Sequence, residues 1–426
     1  MRDGKKSIKV YGRSGVVRLD RQVLYDKEKQ EHTIPGNRFL PPHQGVIVTQ
    51  RLQEEACLLA TDIPFDTVER LLGWKTGAKS ISSNTIRHVV QEHGARIETE
   101  LLQEAQALLQ EGESEGKRLR LTPHGKVRRR PGWPRALNEA VEQALQAEEP
   151  AAPKGLSPAD WERVLVARRE EKMNIEALRQ LGPLARENEG IVTLDEVLTR
   201  HQGREKFQEV TTARLVTAEG YRYFSGEREA LLVVLEAALQ LEQEELTQIA
   251  LVNDGAQWIR DFFESLRAKR SSVIMILDWF HLRKKIHLFA SMIAKNKEAK
   301  KRFEKHLYHT LWNGQKEKAL AFLRDYTPFA KNKNKLQELT RYLEKRTAML
   351  ADYGQRRRER RFIGSGHVEK ANDMIVARRQ KHRGMSWKLK TSHALAALTT
   401  LRLNHQWDAY WRHARGPLLA ISSHQF

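Results

Sequence analysis

Three acidic residues are placed so that a mixed sheet could bring them to one reaction centre. The first to stand out lies in LVNDGAQWIRDFF, residues 251–263. There the apolar run 249–252 stops at Asn253-Asp254-Gly255, and a helical pattern (Ala256, Ile259, Phe262, Phe263) begins at once. This pattern predicts a buried strand that delivers Asp254 to a sheet edge, with Gly255 allowing the chain to turn. Functional groups of open α/β sheets gather at the carboxyl ends of strands. Such an Asp alone reads equally well as a helix cap. Asp195 lies within IVTLDEVL (191–198), and Glu369 sits in the first turn of a helix that starts near His367, after the breaks at Gly364 and Gly366. If the first and fourth strands pair, Asp195 and Asp254 face each other closely. Two bare carboxylates at that range repel, and a divalent cation relieves the repulsion. All-oxygen donors beside substrate phosphates select Mg²⁺ or Mn²⁺. Two such ions about 3.5–4 Å apart can activate a nucleophile and stabilise a leaving oxygen.

The elements that must position these acids follow from periodicity. Residues 1–50 predict a β-hairpin and loop, with KSIKVYGRSGVVRLDRQVLY (6–25) alternating apolar and basic residues about Gly12 and Gly15. Residues 51–115 predict three helices: one on Leu52, Ala56 and Leu59, a second on Phe65, Val68, Leu71 and Leu72, and a third opening at SISSNT and ending before Gly94. The third turns Ile86, Val89 and Val90 inward and Asn84, Arg87, His88 and Gln91 outward, which makes a helix-turn-helix DNA-binding domain the expectation. Residues 116–185 read as a basic linker and helices. Arg128, Arg129 and Arg130 suit an arm on a phosphate backbone or in a minor groove, and 150–158 (PAAPKGLSP) suits a domain boundary.

Residues 186–282 predict strands at 191–198, 210–216 and 221–224, a helix, the strand ending at Asp254, another helix, and VIMIL (273–277) ending at Asp278. This β-β-β-α-β-α-β order is the signature of an RNase H-like domain, so the expected class is α/β. An all-helical insertion spans 283–361, and the domain closes with the C-terminal helices of 362–426. The insertion holds 23 Lys and Arg against 8 Asp and Glu, a net +15 of the whole chain's +20. Arg356, Arg357 and Arg358, in RRRERR (356–361), suit a phosphate clamp. The insertion's aromatics recur at helical spacing and read as core.

Bulk composition narrows the partners. The 426 residues carry 74 Lys and Arg against 54 Asp and Glu, a balance that points to nucleic acid. A single cysteine, Cys57, excludes internal disulfides and cysteine-rich zinc sites. No apolar run approaches the ~20 residues of a membrane span, so a soluble protein of a reducing cytoplasm, without membrane contact, is expected.

VNDGAQWI, DWFH and IGSGHVEKAN, with the closing RRQKHRGMSWK, resemble the DDE transposases of bacterial insertion sequences, in particular the Mutator-like group with an all-helical insertion. The resemblance covers residues 190–405. It implies that Asp195, Asp254 and Glu369 hold two Mg²⁺ or Mn²⁺ ions, and that Asp278 and His281 shape the site. It further implies that Arg378 and Arg379 contact the scissile strand. Relatives of that group carry Asp-Gly in the first strand, whereas this chain has Asp195-Glu196, so Glu196 on the opposite face is the rival first acid. The activity implied is DNA transposition and recombination: cleavage at terminal inverted repeats of double-stranded DNA, then transfer of the 3′-OH to target DNA. A homodimer or larger synaptic complex associated with the bacterial nucleoid is implied as well. A nuclease that only cleaves, or an inert DNA-binding protein, is the alternative.

Overall fold

A computed structural model of the chain describes residues 2–38, 42, 45–77, 80–111, 119, 121–123, 132–180, 188–203, 207–242, 246–270, 272–381 and 385–413. Arg128, Arg129, Arg130 and Gly384 therefore lie outside the described residues. Two sheets and a set of helices make a mixed α/β molecule.

The hairpin forms from β1 (Arg2–Gly12) and β2 (Gly15–Asp26). With β3 (Glu31–Thr33) and β4 (Ile47–Val48) it makes a four-stranded sheet of order β3-β2-β1-β4. The side chains of Lys5, Lys6, Lys9, Arg13 and Arg18 stay exposed on it.

Three helices follow, α1 (Gln50–Ala60), α2 (Phe65–Thr76) and α3 (Ser83–Glu111). The last corrects the expected stop before Gly94. It runs straight through, because Gly94 is where α3 crosses α15 (Leu389–Leu403): a Cβ there would lie 2.3 Å from the Cα of Ala394. The glycine permits a close helix crossing and does not end a helix. Leu52, Val68, Ile86 and Val90 consequently share one core with Leu395, Leu398, Trp407 and Trp411, the last two on α16 (Trp407–His413). Segments 51–115 and 362–426, expected as separate domains, are thus joined by a common interior.

Of the basic linker, Thr122–Pro123 is β5, an edge strand antiparallel to β8. A Pro is tolerated there because an edge strand need not donate from both sides. Next come α4 (Arg135–Gln146) and α5 (Pro158–Gln180). Leu137, Ala140, Val141 and Ala144 pack on Val164 and Ala167, so the expected boundary at 150–158 is the loop of a helix pair.

The second sheet contains β6 (Glu189–Arg200), β7 (Phe207–Val216), β8 (Gly220–Gly226), β9 (Gln248–Asn253) and β10 (Val273–Leu277), in the order β10-β9-β6-β7-β8-β5. The first three are antiparallel, while β9 runs parallel to β6 and β10 parallel to β9. Between them lie α6 (Arg228–Leu241) and α7 (Gln257–Lys269), whose apolar faces join Ile191, Val192, Leu251 and Ile276 in the largest core.

The insertion is helical as read: α8 (Trp279–Ile293), α9 (Lys297–Trp312), α10 (Lys316–Asp325), α11 (Lys333–Glu344) and α12 (Tyr353–Arg358), with short 3₁₀ turns. Its aromatics are mainly core. Tyr353 is buried, donates its hydroxyl to the Leu277 carbonyl (2.9 Å), and stacks near Trp279 with Trp312. The insertion is therefore bolted to the end of β10. The chain returns through α13 (Gly366–Asn372), a π-helical turn (Asp373–Ala377) and α14 (Arg378–Gln380). Together with α15 these cover Val197, Val210 and Tyr223 on the sheet's other face. Among the described residues no helix is long and apolar enough to cross a membrane.

Candidate active site

The parallel strands deliver their acids to one edge. Val192 lies beside Leu251, and three further residues along each strand bring the chain to Asp195 and Asp254. In the next pair Leu277 lies beside Asn253, and the Asp278 amide donates to the Asn253 carbonyl (2.7 Å). Asp254 and Asp278 thus follow β9 and β10, while Asp195 lies within β6, three residues past the end of its pairing with β9. Gly255 (φ +81°) makes the turn after Asp254, and a side chain there would meet Arg346 at 2.8 Å. Only glycine fits both requirements.

Asp195 accepts from the Glu196 amide (2.8 Å) and from the Asn372 side-chain amide (2.6 Å). Asn372 in turn accepts from the Thr212 hydroxyl, on the strand opposite. Burial raises the Asp195 carboxyl above the usual range; its two hydrogen bonds and nearby His281 pull it back, while Asp254 pushes it further up. Glu196 points the other way and is bound by Arg228. The placement favours Asp195 over its rival.

Asp278 is 1% exposed. Its Oδ1 caps α8 by accepting from the Phe280 (2.6 Å) and His281 (3.0 Å) amides. Its Oδ2 accepts from the Ser365 amide (2.6 Å) and hydroxyl (2.5 Å), and lies 3.2 Å from His281 Nδ1. Burial pushes this carboxyl up, but the bonds from His281 and Ser365 outweigh it and the net shift is downward. Asp278 thus ties the end of β10 to the turn that launches α13. Gly364 is required in that turn, since a Cβ would lie 2.5 Å from Phe280. The other ring nitrogen of His281 stands 3.8 Å from Glu369. The Asp278 carboxylate beside it raises the imidazole, against burial, with Glu369 and Asp254 adding to the rise.

The five acid and imidazole residues expected from the sequence therefore share one electrostatic neighbourhood. Among the described residues, no group of three or more His, Cys, Asp or Glu is placed to hold a metal ion. The individual donors are carboxylate oxygens, the ligand type that hard divalent cations take. Asp254 and Glu369 are exposed, and Asp195 is held so that each oxygen keeps a second lone pair.

Of the cationic residues expected on DNA, Arg357, Arg358 and Arg378 are exposed. Asn84 is exposed, while Arg87 and His88 are half-buried. Two expectations are corrected. Arg356 is buried, donates to the Phe362 carbonyl (2.8 Å) and pairs with buried Glu189 (3.4 Å), so it braces the insertion against β6. Arg379, 3% exposed, lies between the rings of Phe65 and Trp387, so it is no surface clamp. Asn372, Ser365 and Arg346, which donates to the Gly255 carbonyl (3.1 Å), were not singled out by the sequence. Asn372 lies one helical turn from Glu369 in EKAN, the one signal that could have pointed to it.

A mixed sheet thus carries Asp195 within β6 and Asp254 and Asp278 just past β9 and β10, with Glu369 on a returning helix. The chain belongs to UPF0236, an uncharacterised protein family whose model matches residues 157–414. No curated protein sequence matches it.

Proposed function

We propose that the protein is a DNA transposase of the DDE kind, built on an RNase H-like sheet with a helical insertion of the Mutator-like type. The observation that carries the reading is geometric: the β6–β9 register sets Asp195 and Asp254 on neighbouring strands, and His281, 3.2 Å from Asp278 after the next strand, stands 3.8 Å from Glu369. A strand order with three antiparallel strands followed by two parallel ones supports the fold assignment. The excess of Lys and Arg supports a polyanionic partner.

On this reading a water oxygen attacks the phosphorus at the element's end. The P–O3′ bond breaks, and the departing oxygen takes a proton to become the 3′-OH. That hydroxyl then attacks a target phosphodiester, forming a new P–O bond as the target's own 3′-oxygen leaves, so no nucleotide triphosphate is consumed. Mg²⁺ or Mn²⁺ held by Asp195, Asp254 and Glu369 would supply Lewis-acid polarisation of the reacting oxygens. Asn372 fixes the Asp195 carboxylate. Asp278 fixes His281 and, through Ser365, the start of the helix that carries Glu369. Arg357, Arg358 and Arg378 grip phosphates without regard to sequence, while α3 is suited to reading the terminal repeats as part of a helix-turn-helix. Joining two ends in concert calls for a homodimer or larger assembly.

The test is a strand-transfer assay on labelled DNA carrying the ends of the encoding element, with Mg²⁺ or Mn²⁺. Joined products are expected from the wild type and none from Asp254→Asn. Cleavage without joining would assign a nuclease instead, and binding without cleavage under either ion would assign an inert DNA-binding protein.

A further inference from the structure

The helix that carries Glu369 rests on the sheet through more than apolar contact. Arg214, on β7, is 3% exposed. Its Nη1 lies 2.6 Å from Nδ1 of His367, the second residue of α13. A guanidinium can only donate, so Nδ1 is the acceptor of this bond. No carboxylate among the described residues pairs with Arg214. The rings of Tyr221 and Tyr223 lie 4.8 and 5.5 Å from its Cζ, and its Nε is buried with no hydrogen-bond partner. Burying a cation without an acid beside it is costly. A leucine would fill the space without that cost, but it could not direct a hydrogen bond at α13.

Arg214 is one of two anchors that β7 offers to this helix. Thr212, two residues back on the strand, shares its face of the sheet. The Thr212 hydroxyl donates to Asn372, the last residue of α13, whose amide in turn donates to Asp195. His367 and Asn372 are five residues apart, which is about 140° around a helix. They therefore grip α13 from two sides, and a rotation that relaxes one bond stretches the other. Ser365, held by Asp278, fixes where the helix starts. Glu369 projects into solvent between the two anchors, so its direction follows theirs.

We propose that Arg214 and His367 are positioning residues that set the rotation of α13 and so aim the Glu369 carboxylate at Asp195 and Asp254. The inference rests on the reading above, because it takes Glu369 as one of the three metal-holding acids.

The test compares His367→Asn with His367→Gln in the full chain. Both variants lose the ring that packs 4.7 Å from Phe362. Only asparagine keeps an acceptor where Nδ1 stood, since the glutamine oxygen sits one atom further out. Mn²⁺ affinity is read from the electron paramagnetic resonance signal of the free ion, and strand transfer is timed on labelled DNA ends. His367→Gln should lose about 10- to 100-fold in each, the scale of losing a group that orients a metal ligand. His367→Asn should stay close to the wild type, and binding of DNA ends should be unchanged in both. Equal Mn²⁺ affinity in all three proteins, or equal losses in the two variants, would overturn the proposal. Strand transfer separates the two readings. A split in Mn²⁺ affinity between the variants, with no joining by the wild type, keeps the positioning pair and sinks the transposase. Joining as fast in His367→Gln as in the wild type sinks only the positioning role.

Discussion

Neighbouring arginines can do unrelated work, and the 356–361 run shows it. Read as letters, RRRERR is one cationic cluster. On the short helix α12, however, successive side chains are rotated by about 100°, so Arg356 turns in to Glu189 while Arg357 and Arg358 face out. Composition could expose the cluster but not its rotation. Arg356→Ala should therefore cost about 1–3 kcal/mol in urea denaturation, because buried Glu189 then keeps only the longer contact with Arg361 (3.6 Å) and the Phe362 carbonyl loses its donor. Arg357→Ala with Arg358→Ala should leave stability nearly unchanged and flatten the salt dependence of DNA binding by up to about 2 in log–log slope. A stable Arg356→Ala protein with weakened DNA binding would restore the clamp. Glu98 offers a second residue-scale test. Burial and neighbouring Glu227 push its carboxyl up to about 7, and His393, 3.8 Å away, is held below its usual value by burial. A carboxyl raised on folding favours the native state less as pH climbs from its unfolded value toward 7. Glu98→Gln should then match the wild type near pH 5 and exceed it in urea midpoint near pH 8. A difference that stays constant with pH would show that this carboxyl titrates normally.

Elements were legible where a single signal governed them. The strands around Asp195 and Asp254 carry β-branched, apolar runs ended by turn residues, and they form where those runs lie. Glycine is the ambiguous letter. At Gly255 it makes the turn that the sequence suggested, but at Gly94 the same residue allows α3 and α15 to touch. A stop signal and a close crossing look alike until the partner helix is known, and that partner lies 300 residues away. Two effects oppose each other in Gly94→Ala. Alanine favours an isolated helix by about 1 kcal/mol, whereas a Cβ placed 2.3 Å from Ala394 forces the helices apart, an overpacking cost of about 1–3 kcal/mol or more. The clash is with backbone and cannot be relieved by a rotamer, so net destabilisation is expected in thermal melts. A rise in melting temperature would mean that the crossing is looser than described.

At the scale of the molecule, periodicity gives a list of segments but not which of them share an interior. The sequence divides the chain after the third helix, and the family match itself begins only at residue 157. The core ignores both divisions. Leu395, Leu398 and Leu401 on α15, with Trp407, Tyr410 and Trp411, pack in one cluster with the buried faces of α1, α2 and α3. A fully buried large apolar side chain contributes about 1.5–3 kcal/mol, so exposing even part of that set forfeits on the order of 10 kcal/mol. A whole domain's stability is only about 5–15 kcal/mol. The surface groove lined by Phe65, Asn84 and Trp387 crosses the same seam. A chain of residues 157–414 expressed alone should therefore bind hydrophobic dyes, lose its cooperative melt and aggregate. Co-expression with residues 1–156 should recover a folded complex, because the missing half of the core is supplied in trans. Were 157–414 to stay monodisperse and melt at the full chain's temperature, the N-terminal helices would be an appendage, and α3 would be free to move as an independent DNA reader.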